Sequence, residues 1–270
     1  MTGPGTVTSA DTASSAAGSW SFGRPNPGKE LYIDTPAGRF ARLPVFSHLV
    51  TANDDIVAVV REHASPYLEP GDILAISEKI VAICEGRSYP LAGIRPSRLA
   101  SWLSKFVQKT PHGIGIGSPW TMEFALREAG VPRIFLAAFA SAVTKPFGVK
   151  GIFYRIAGPR VAAIDGPTDG TIPPYNRCVT LGPSDPGKSA VAISAALGGQ
   201  AVAIIDANDL GVNILGAAAV DPALVAQAFS DNPLGQGEEQ TPMAVLRRVG
   251  RIPAGRGEGR CTGEHINHKA

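Results

Sequence analysis

The chain has 270 residues, of which 44% are apolar and 18% charged, and its formal net charge is +2. This composition fits a soluble globular protein with a full core, and a balance so close to neutral gives no strong pull toward nucleic acid or a membrane surface. No run approaches the roughly 18 apolar residues of a membrane span, the first residues lack a signal-peptide pattern, and Cys84, Cys178 and Cys261 form no CxxC pair, so a cytoplasmic protein without structural zinc or disulfides is expected.

Residues 1–28 are mainly Ser, Thr, Ala, Gly and Pro and read as disordered, residues 29–251 as the folded body, and residues 252–270 as a flexible tail. The tail's Cys261, His265 and His268 are spaced too irregularly to point to a metal site. Residues 43–46 predict a short strand, followed by a loop through His48. Residues 54–63 predict a helix with Asp54 as N-cap and Ile56, Val59 and Val60 on one face. Residues 72–77 read as a buried strand. Residues 96–108 predict an amphipathic helix whose Leu99, Trp102, Leu103 and Phe106 recur at i, i+3, i+4, i+7 and belong to the core. A further helix over 121–128 is ended by Gly130 and Pro132. Residues 151–156 and 161–164 read as paired strands around Ala157-Gly158-Pro159. Residues 188–197 predict a helix stopped by Gly198-Gly199, and 201–205 a buried strand. Asp221-Pro222 opens a helix through Phe229, and Thr241-Pro242 opens a last helix through Val249 by the same N-cap and N1 device. The elements do not alternate regularly enough for a doubly wound fold, so the expected class is α+β, a mixed sheet with flanking helices.

Polar groups gather at four places beside predicted strands. They are Ser77-Glu78-Lys79, Asp165, Asp206-Ala207-Asn208-Asp209, and the acidic glycine-bearing loop over residues 231–240. A carboxylate at the end of a buried strand is costly unless paired, and a hard divalent cation is the usual partner, so these oxygens could hold one or two Mg²⁺ or Mn²⁺ ions. Lys79 could meet a phosphate as a point charge, or form part of a solvated turn with Glu78. The glycine-rich stretch around His112, over 110–119, could expose N–H groups to an anion, though such loops are common. Gly187-Lys188-Ser189 resembles the end of a P-loop but lacks the preceding strand, and Pro183 and Pro186 remove donors from such a cradle.

The run Gly71-Asp72-Ile73-Leu74-Ala75-Ile76-Ser77-Glu78-Lys79-Ile80-Val81, followed by Glu85-Gly86-Arg87, carries a resemblance. So do Leu181-Gly182-Pro183 with Asp185-Pro186, the strand ending at Asp206, and Gly235-Gln236-Gly237-Glu238-Glu239-Gln240-Thr241-Pro242. In this order, over about residues 40–250, they resemble the coenzyme F420-0:L-glutamate ligase family, GTP-dependent enzymes that add γ-linked glutamate to a deazaflavin coenzyme. The resemblance implies a homodimeric ligase of mixed α+β fold that holds its nucleotide and two divalent ions without a P-loop. By position, Asp165 would take the first metal, and Asp206, Asn208 and Asp209 the second. Ser47, His48, Leu49, Val50, Ser77 and Glu78 would contact the nucleotide, with Gly235, Gln236, Gly237, Glu238 and Glu239 forming its glycine-rich loop. Lys79 or Lys145 would assist phosphoryl transfer.

The resemblance departs at four points, one of them being residues 115–123, for which the family has no counterpart. Ile83 stands where the family has a lysine, and Gln236 stands where it has an acidic metal ligand. The family's Ser-Asp-Thr is here Asp206-Ala207-Asn208, which moves the acid by one residue, and on a strand such a shift exchanges faces. The expected activity is a GTP- or ATP-dependent ligase joining an amino acid, glutamate foremost, to a small-molecule carboxylate acceptor. The alternatives are a non-catalytic nucleotide- or metabolite-binding homologue, and a ligase with another donor and acceptor.

Overall fold

A computed structural model describes residues 22–107, 115–149, 151–208, 211–235 and 237–250. The chain enters through an antiparallel hairpin of β1 (Tyr32–Thr35) and β2 (Gly38–Val45). It continues through α1 (Ile56–His63), β3 (Ile73–Ser77), α2 (Glu78–Cys84) and a short β4 (Ser88–Pro90). Five helices follow: α3 (Arg98–Leu103), α4 (Pro119–Ala129), α5 (Val131–Thr144), α6 (Ile152–Ala157) and α7 (Pro159–Ala162). The chain returns through β5 (Cys178–Thr180), α8 (Pro186–Ala196), β6 (Ala201–Asn208), β7 (Gly211–Ala218), α9 (Pro222–Ala228) and β8 (Met243–Val249). Six strands make one mixed sheet in the order β1-β2-β8-β3-β6-β7, in which β3 and β6 are parallel and the other pairs antiparallel; β4 and β5 pair separately. The class is the expected α+β.

Strand parity builds two cores from the central strands. Leu74, Ile76, Val202 and Ile204 face one side and pack with Val59 and Val60 of α1, Ile80 and Val81 of α2, and Ile193 of α8. Ile73, Ala75, Ala203 and Ile205 face the other and meet Val225, Ala228 and Phe229 at α9. Central strands covered on both faces read as unbroken aliphatic runs. A third core, with Leu103, Ile116, Phe124, Ile134, Val161, Val179 and Leu181, belongs to α3–α7 and the β4–β5 ribbon.

Several local expectations change. The helix over 54–63 begins two residues later: Asp55 is its N-cap, accepting from Ala58 N at 2.9 Å, while Asp54 accepts from Thr51 N and Oγ1. The described residues 96–107 hold α3, capped by Ser97, and a 3₁₀ turn over Ser104–Phe106 in place of one long helix. Leu103 is buried, but Trp102 and Phe106 are 51% and 71% exposed, not core residues. The expected strand pair over 151–164 is instead α6 and α7. Gly158, at φ +100 and ψ 168, ends one helix and starts the next, with Pro159 in its first turn. Gly130, at φ +78 and ψ 152, does the same between α4 and α5, so Pro132 sits near the start of a helix absent from the sequence reading. The last predicted helix is strand β8, held between β2 and β3. Of the segment expected to be disordered, Phe22 stacks on Tyr67 at 4.1 Å, and buried Asn26 donates to Pro233 O and Thr241 Oγ1. Residues 1–21, the glycine stretch over 108–114 with His112, and the tail with Cys261, His265 and His268 lie outside the described residues.

Candidate functional site

The parallel strands β3 and β6 end side by side, and the chain leaves β3 directly into α2. Ser77 is the N-cap of α2, with Oγ accepting from Lys79 N at 3.4 Å, so Glu78 and Lys79 occupy its first turn. A cleft of about 1050 Å³ opens there. Its walls are the turn of Ser47, His48, Leu49 and Val50, the start of α2, the segment 162–175, the end of β6, and the loop 234–242.

Backbone contacts fix these walls. Ser47, 1% exposed, donates its N–H to Gln240 O at 3.1 Å, and Ser77 donates its own to Pro242 O at 2.8 Å. Gln240 takes a left-handed φ of +52 to present that carbonyl. Asp165 exchanges two backbone hydrogen bonds with Thr180, at 2.8 and 3.0 Å. The segments that carry the family resemblance bind one another: Glu85 accepts from Ser184 N at 2.7 Å, and Arg87 Nε donates to Gly182 O at 2.7 Å. A side chain at Gly182 would come within 2.8 Å of Ala163 Cβ and 3.5 Å of Glu78 Oε2, so only glycine lets this loop wedge between α2 and the Asp165 segment.

The charges converge on the floor. Lys79 Nζ lies 2.5 Å from Asp165 Oδ2. Burial pushes the Glu78 carboxyl up to about 8; the Asp206 and Asp165 charges add to this and Lys79 opposes it. Glu78 Oε2 is buried and has no hydrogen-bond partner among the described residues. Burial also raises the Asp206 carboxyl, against hydrogen bonds from the Asn213 and Asn208 side chains. Asp206 lies inside β6, paired with Asn213, rather than beyond the strand's end. The register irregularity beside it falls on β7, where Ile204 faces Gly216 and Ile205 faces Ile214. Parity along β6 is therefore unbroken, and Asp206 and Asn208 share the face of Val202 and Ile204, the face toward α2. The one-residue shift thus leaves the acid on the cleft side. Glu78, Asp165, Asp206 and Asn208 supply oxygens of the kind a hard divalent cation takes, with one carboxylate oxygen buried without a partner among the described residues, although the three carboxylates do not all come within 4.8 Å of one another.

Most of the expected site residues meet here. Ser47, His48, Leu49, Val50, Ser77, Glu78, Lys79, Asp165, Asp206, Asn208, Gly235, Gly237 and Glu239 all line the cleft. Glu78, expected to meet a nucleotide, lies within the influence of the Asp206 and Asp165 charges. Glu239 accepts from Gly237 N at 2.7 Å and closes its own loop. Lys145 does not join them: it is exposed just past α5 and is absent from the lining, as is exposed Glu238. Asp209 and Gln236 lie outside the described residues. Ile83 lines the cleft as a 3% exposed core residue. Thr168, Asp169, Thr171 and Tyr175 line it too, although the sequence reading passed them over. The signal for Thr168, Asp169 and Thr171 was the polar, Gly- and Pro-bearing run after Asp165, from Gly166 to Thr171; Tyr175 lies beyond it.

At the rim, His48 Nδ1 is 2.8 Å from His63 Nε2 at the end of α1, and His48 Nε2 is 3.5 Å from Asp54 Oδ1. Among the described residues, no helix is long and apolar enough to cross a membrane.

A search of curated proteins gives no match to the chain. The family model for F420-0:gamma-glutamyl ligase matches residues 45–227, which run from the end of β2 into α9 and include the cleft turn, the start of α2, Asp165 and Asp206. With more than half of its length matched, across the segments that build the cleft, the chain belongs to the F420-0:gamma-glutamyl ligase family, a family of ligases.

Proposed function

We propose that the cleft binds a purine nucleoside triphosphate, GTP or ATP, together with Mg²⁺ or Mn²⁺, and that the protein joins an amino acid, glutamate foremost, to a carboxylate acceptor. The observation that carries this reading is the convergence of Glu78, Asp165 and Asp206 beside Lys79 on the floor of one cleft. Glu78, Asp165, Asp206 and Asn208 would hold the cation, with Asp209 completing the set as the sequence reading has it. A bound divalent ion supplies charge neutralisation to the phosphate oxygens.

The acceptor carboxylate attacks the γ-phosphorus, the bond to the β,γ-bridging oxygen breaks, and the nucleoside diphosphate leaves. The amine of the amino acid then attacks the acyl phosphate, releasing phosphate and losing one proton as the amide forms. Lys79 is placed to hold a transferred phosphoryl oxygen once that oxygen displaces the Asp165 carboxylate as its partner. The turn of Ser47–Val50 and the loop of Gly235 and Gly237 would meet the nucleotide, and the walls would keep water from the acyl phosphate. Buried Ile83, where the family has lysine, supports a second reading, a homologue that binds nucleotide without ligation.

The test is phosphate release with GTP or ATP, Mn²⁺, glutamate and a panel of carboxylate acceptors, including the deazaflavin precursor. Turnover should fall about 10²-fold or more in Asp165→Asn. Calorimetric nucleotide binding without phosphate release from any acceptor would favour the second reading. Absence of both would overturn the first as well.

A further inference from the structure

Among the described residues, His48, Glu62 and His63 each bring a ligand atom within 4.8 Å of the others. His48 comes from the turn after β2, and Glu62 and His63 end α1. His48 Nδ1 stands 2.8 Å from His63 Nε2, and Glu62 Oε1 stands 3.7 Å from that same nitrogen. The other face of His48 is braced. Its Nε2 is 3.5 Å from Asp54 Oδ1, while Asp54 Oδ2 is fixed by Thr51 N and Oγ1 at 2.7 and 2.8 Å. An Nε2–H directed at Asp54 leaves the Nδ1 lone pair of His48 aimed at His63. A carboxylate behind an imidazole in this way orients metal-binding histidines and raises their basicity. Two imidazole nitrogens aimed at each other share one hydrogen, and a cation can take its place. The C-terminal carbonyls of α1 add a field that favours positive charge.

We propose that His48, Glu62 and His63 bind a transition-metal ion of the zinc class, with water in the remaining position, tying the cleft turn to the end of α1. In a tetrahedral zinc site with bonds of about 2.0–2.1 Å, neighbouring ligand atoms lie roughly 3.3 Å apart. The two nitrogens therefore separate by about half an ångström, Glu62 closes by a similar amount, and the proton that His63 held on Nε2 moves to its Nδ1 as the cation takes its place. Nitrogen donors set this site apart from the all-oxygen floor of the cleft, which suits Mg²⁺ or Mn²⁺. The His48 and Glu62 side chains are 41% and 68% exposed, so an ion can enter without unfolding the rim.

Co²⁺ is the probe, added to the full chain and followed by visible absorption, with Zn²⁺ as competitor. One Co²⁺ per chain should give the d–d bands of a four- or five-coordinate ion, and Zn²⁺ should abolish them. His63→Ala should remove the bands and weaken uptake more than tenfold. Asp54→Asn should weaken it about 10–100-fold through the lost brace. Exposed Glu62→Gln, which carries little folding risk, should shift the bands and loosen binding. Asp165→Asn, on the cleft floor, should leave them unchanged. A parallel C261S/H265A/H268A chain removes the tail's own candidate ligands and should keep the bands. Bands that persist in both His63→Ala and Glu62→Gln, or that vanish with the tail substitutions, would overturn the assignment, as would no Co²⁺ uptake at all.

Discussion

Glu78 is the first residue of α2, and its position sets a pH dependence that can be worked out in sign. Burial and two neighbouring carboxylates lift its carboxyl from 4.5 to about 8 in the folded chain. Between those values the native state binds more protons than the unfolded state, so this group's contribution to stability falls as pH rises through the window and is lost above it. The displacement corresponds to a few kcal/mol, at about 1.4 kcal/mol per pKa unit. Glu78→Gln, which keeps the shape without the charge, should therefore match the wild type near pH 5 and exceed it near pH 9 in chelator, by urea or thermal unfolding. Mn²⁺ favours the ionised carboxylate, so it should raise wild-type stability at high pH and do less for the variant. Parallel stability curves for the two proteins across this range would remove Glu78 from the charge cluster. The acids were legible in the sequence as residue types at strand ends. Their strength was not, because it comes from burial and from Asp206 and Asp165, which the fold brings to Glu78 from β6 and from the segment after α7.

At the scale of elements, α8 meets β7 at Gly216 with no room for a side chain. A Cβ there would stand 2.2 Å from Pro186 O and 2.4 Å from its carbonyl carbon, both main-chain atoms that cannot rotate away. Gly216→Ala should separate helix from strand at a cost of about 1–3 kcal/mol, read as a melting temperature lowered by several degrees. A variant melting within a degree of wild type would show that the helix end yields freely. The same region shows how far local signals carry. Asp221 announced α9 because its side chain caps the helix directly, accepting from Ala223 N at 2.9 Å, whereas α8 was read only from Lys188 onward and its cap, Asp185, which accepts from Lys188 N at 2.9 Å, was passed over. The aliphatic runs of β3 and β6 were equally plain, since strands covered on both faces need no alternation. Thr241-Pro242 offered the same local signal as Asp221-Pro222, ahead of Met243, Ala244, Leu246 and two arginines, all good helix formers. The sheet overrides that preference: β8 fills the slot between β2 and β3, and Pro242 supplies a carbonyl to Ser77. In α6 and α7 the error ran the other way, with Ile, Phe, Tyr and Val read as strand formers. Gly158-Pro159 there is a helix junction, as Gly130 is between α4 and α5.

At the scale of the whole molecule, α5 has one buried face and, among the described residues, one exposed apolar face. Ile134 and Ala137 enter the core. Val131, Phe135, Phe139 and Val143 recur every fourth residue on the opposite side, exposed by 42, 41, 69 and 50%, with Leu136 beside them at 59%. Phe147, 80% exposed, prolongs the stripe past the helix. Isolated exposed apolar residues are ordinary, whereas a continuous stripe along a 14-residue helix is the kind of surface that a partner can cover. The occupant we propose is a second copy of the chain. Two such helices crossing about a two-fold axis lay the stripe against itself, which meets the self-complementarity that an isologous dimer requires. The helix itself was missed in the sequence because Gly130-Val131-Pro132 reads as a stop, so this apolar stripe was not visible there. Phe139→Glu places a charge near the middle of the stripe without touching the core beneath it. By light scattering, the wild type should run as a dimer and the variant as a monomer, with unchanged far-ultraviolet circular dichroism. A wild-type chain that stays monomeric at high micromolar concentration, or a Phe139→Glu chain that remains dimeric, would assign the stripe to another partner.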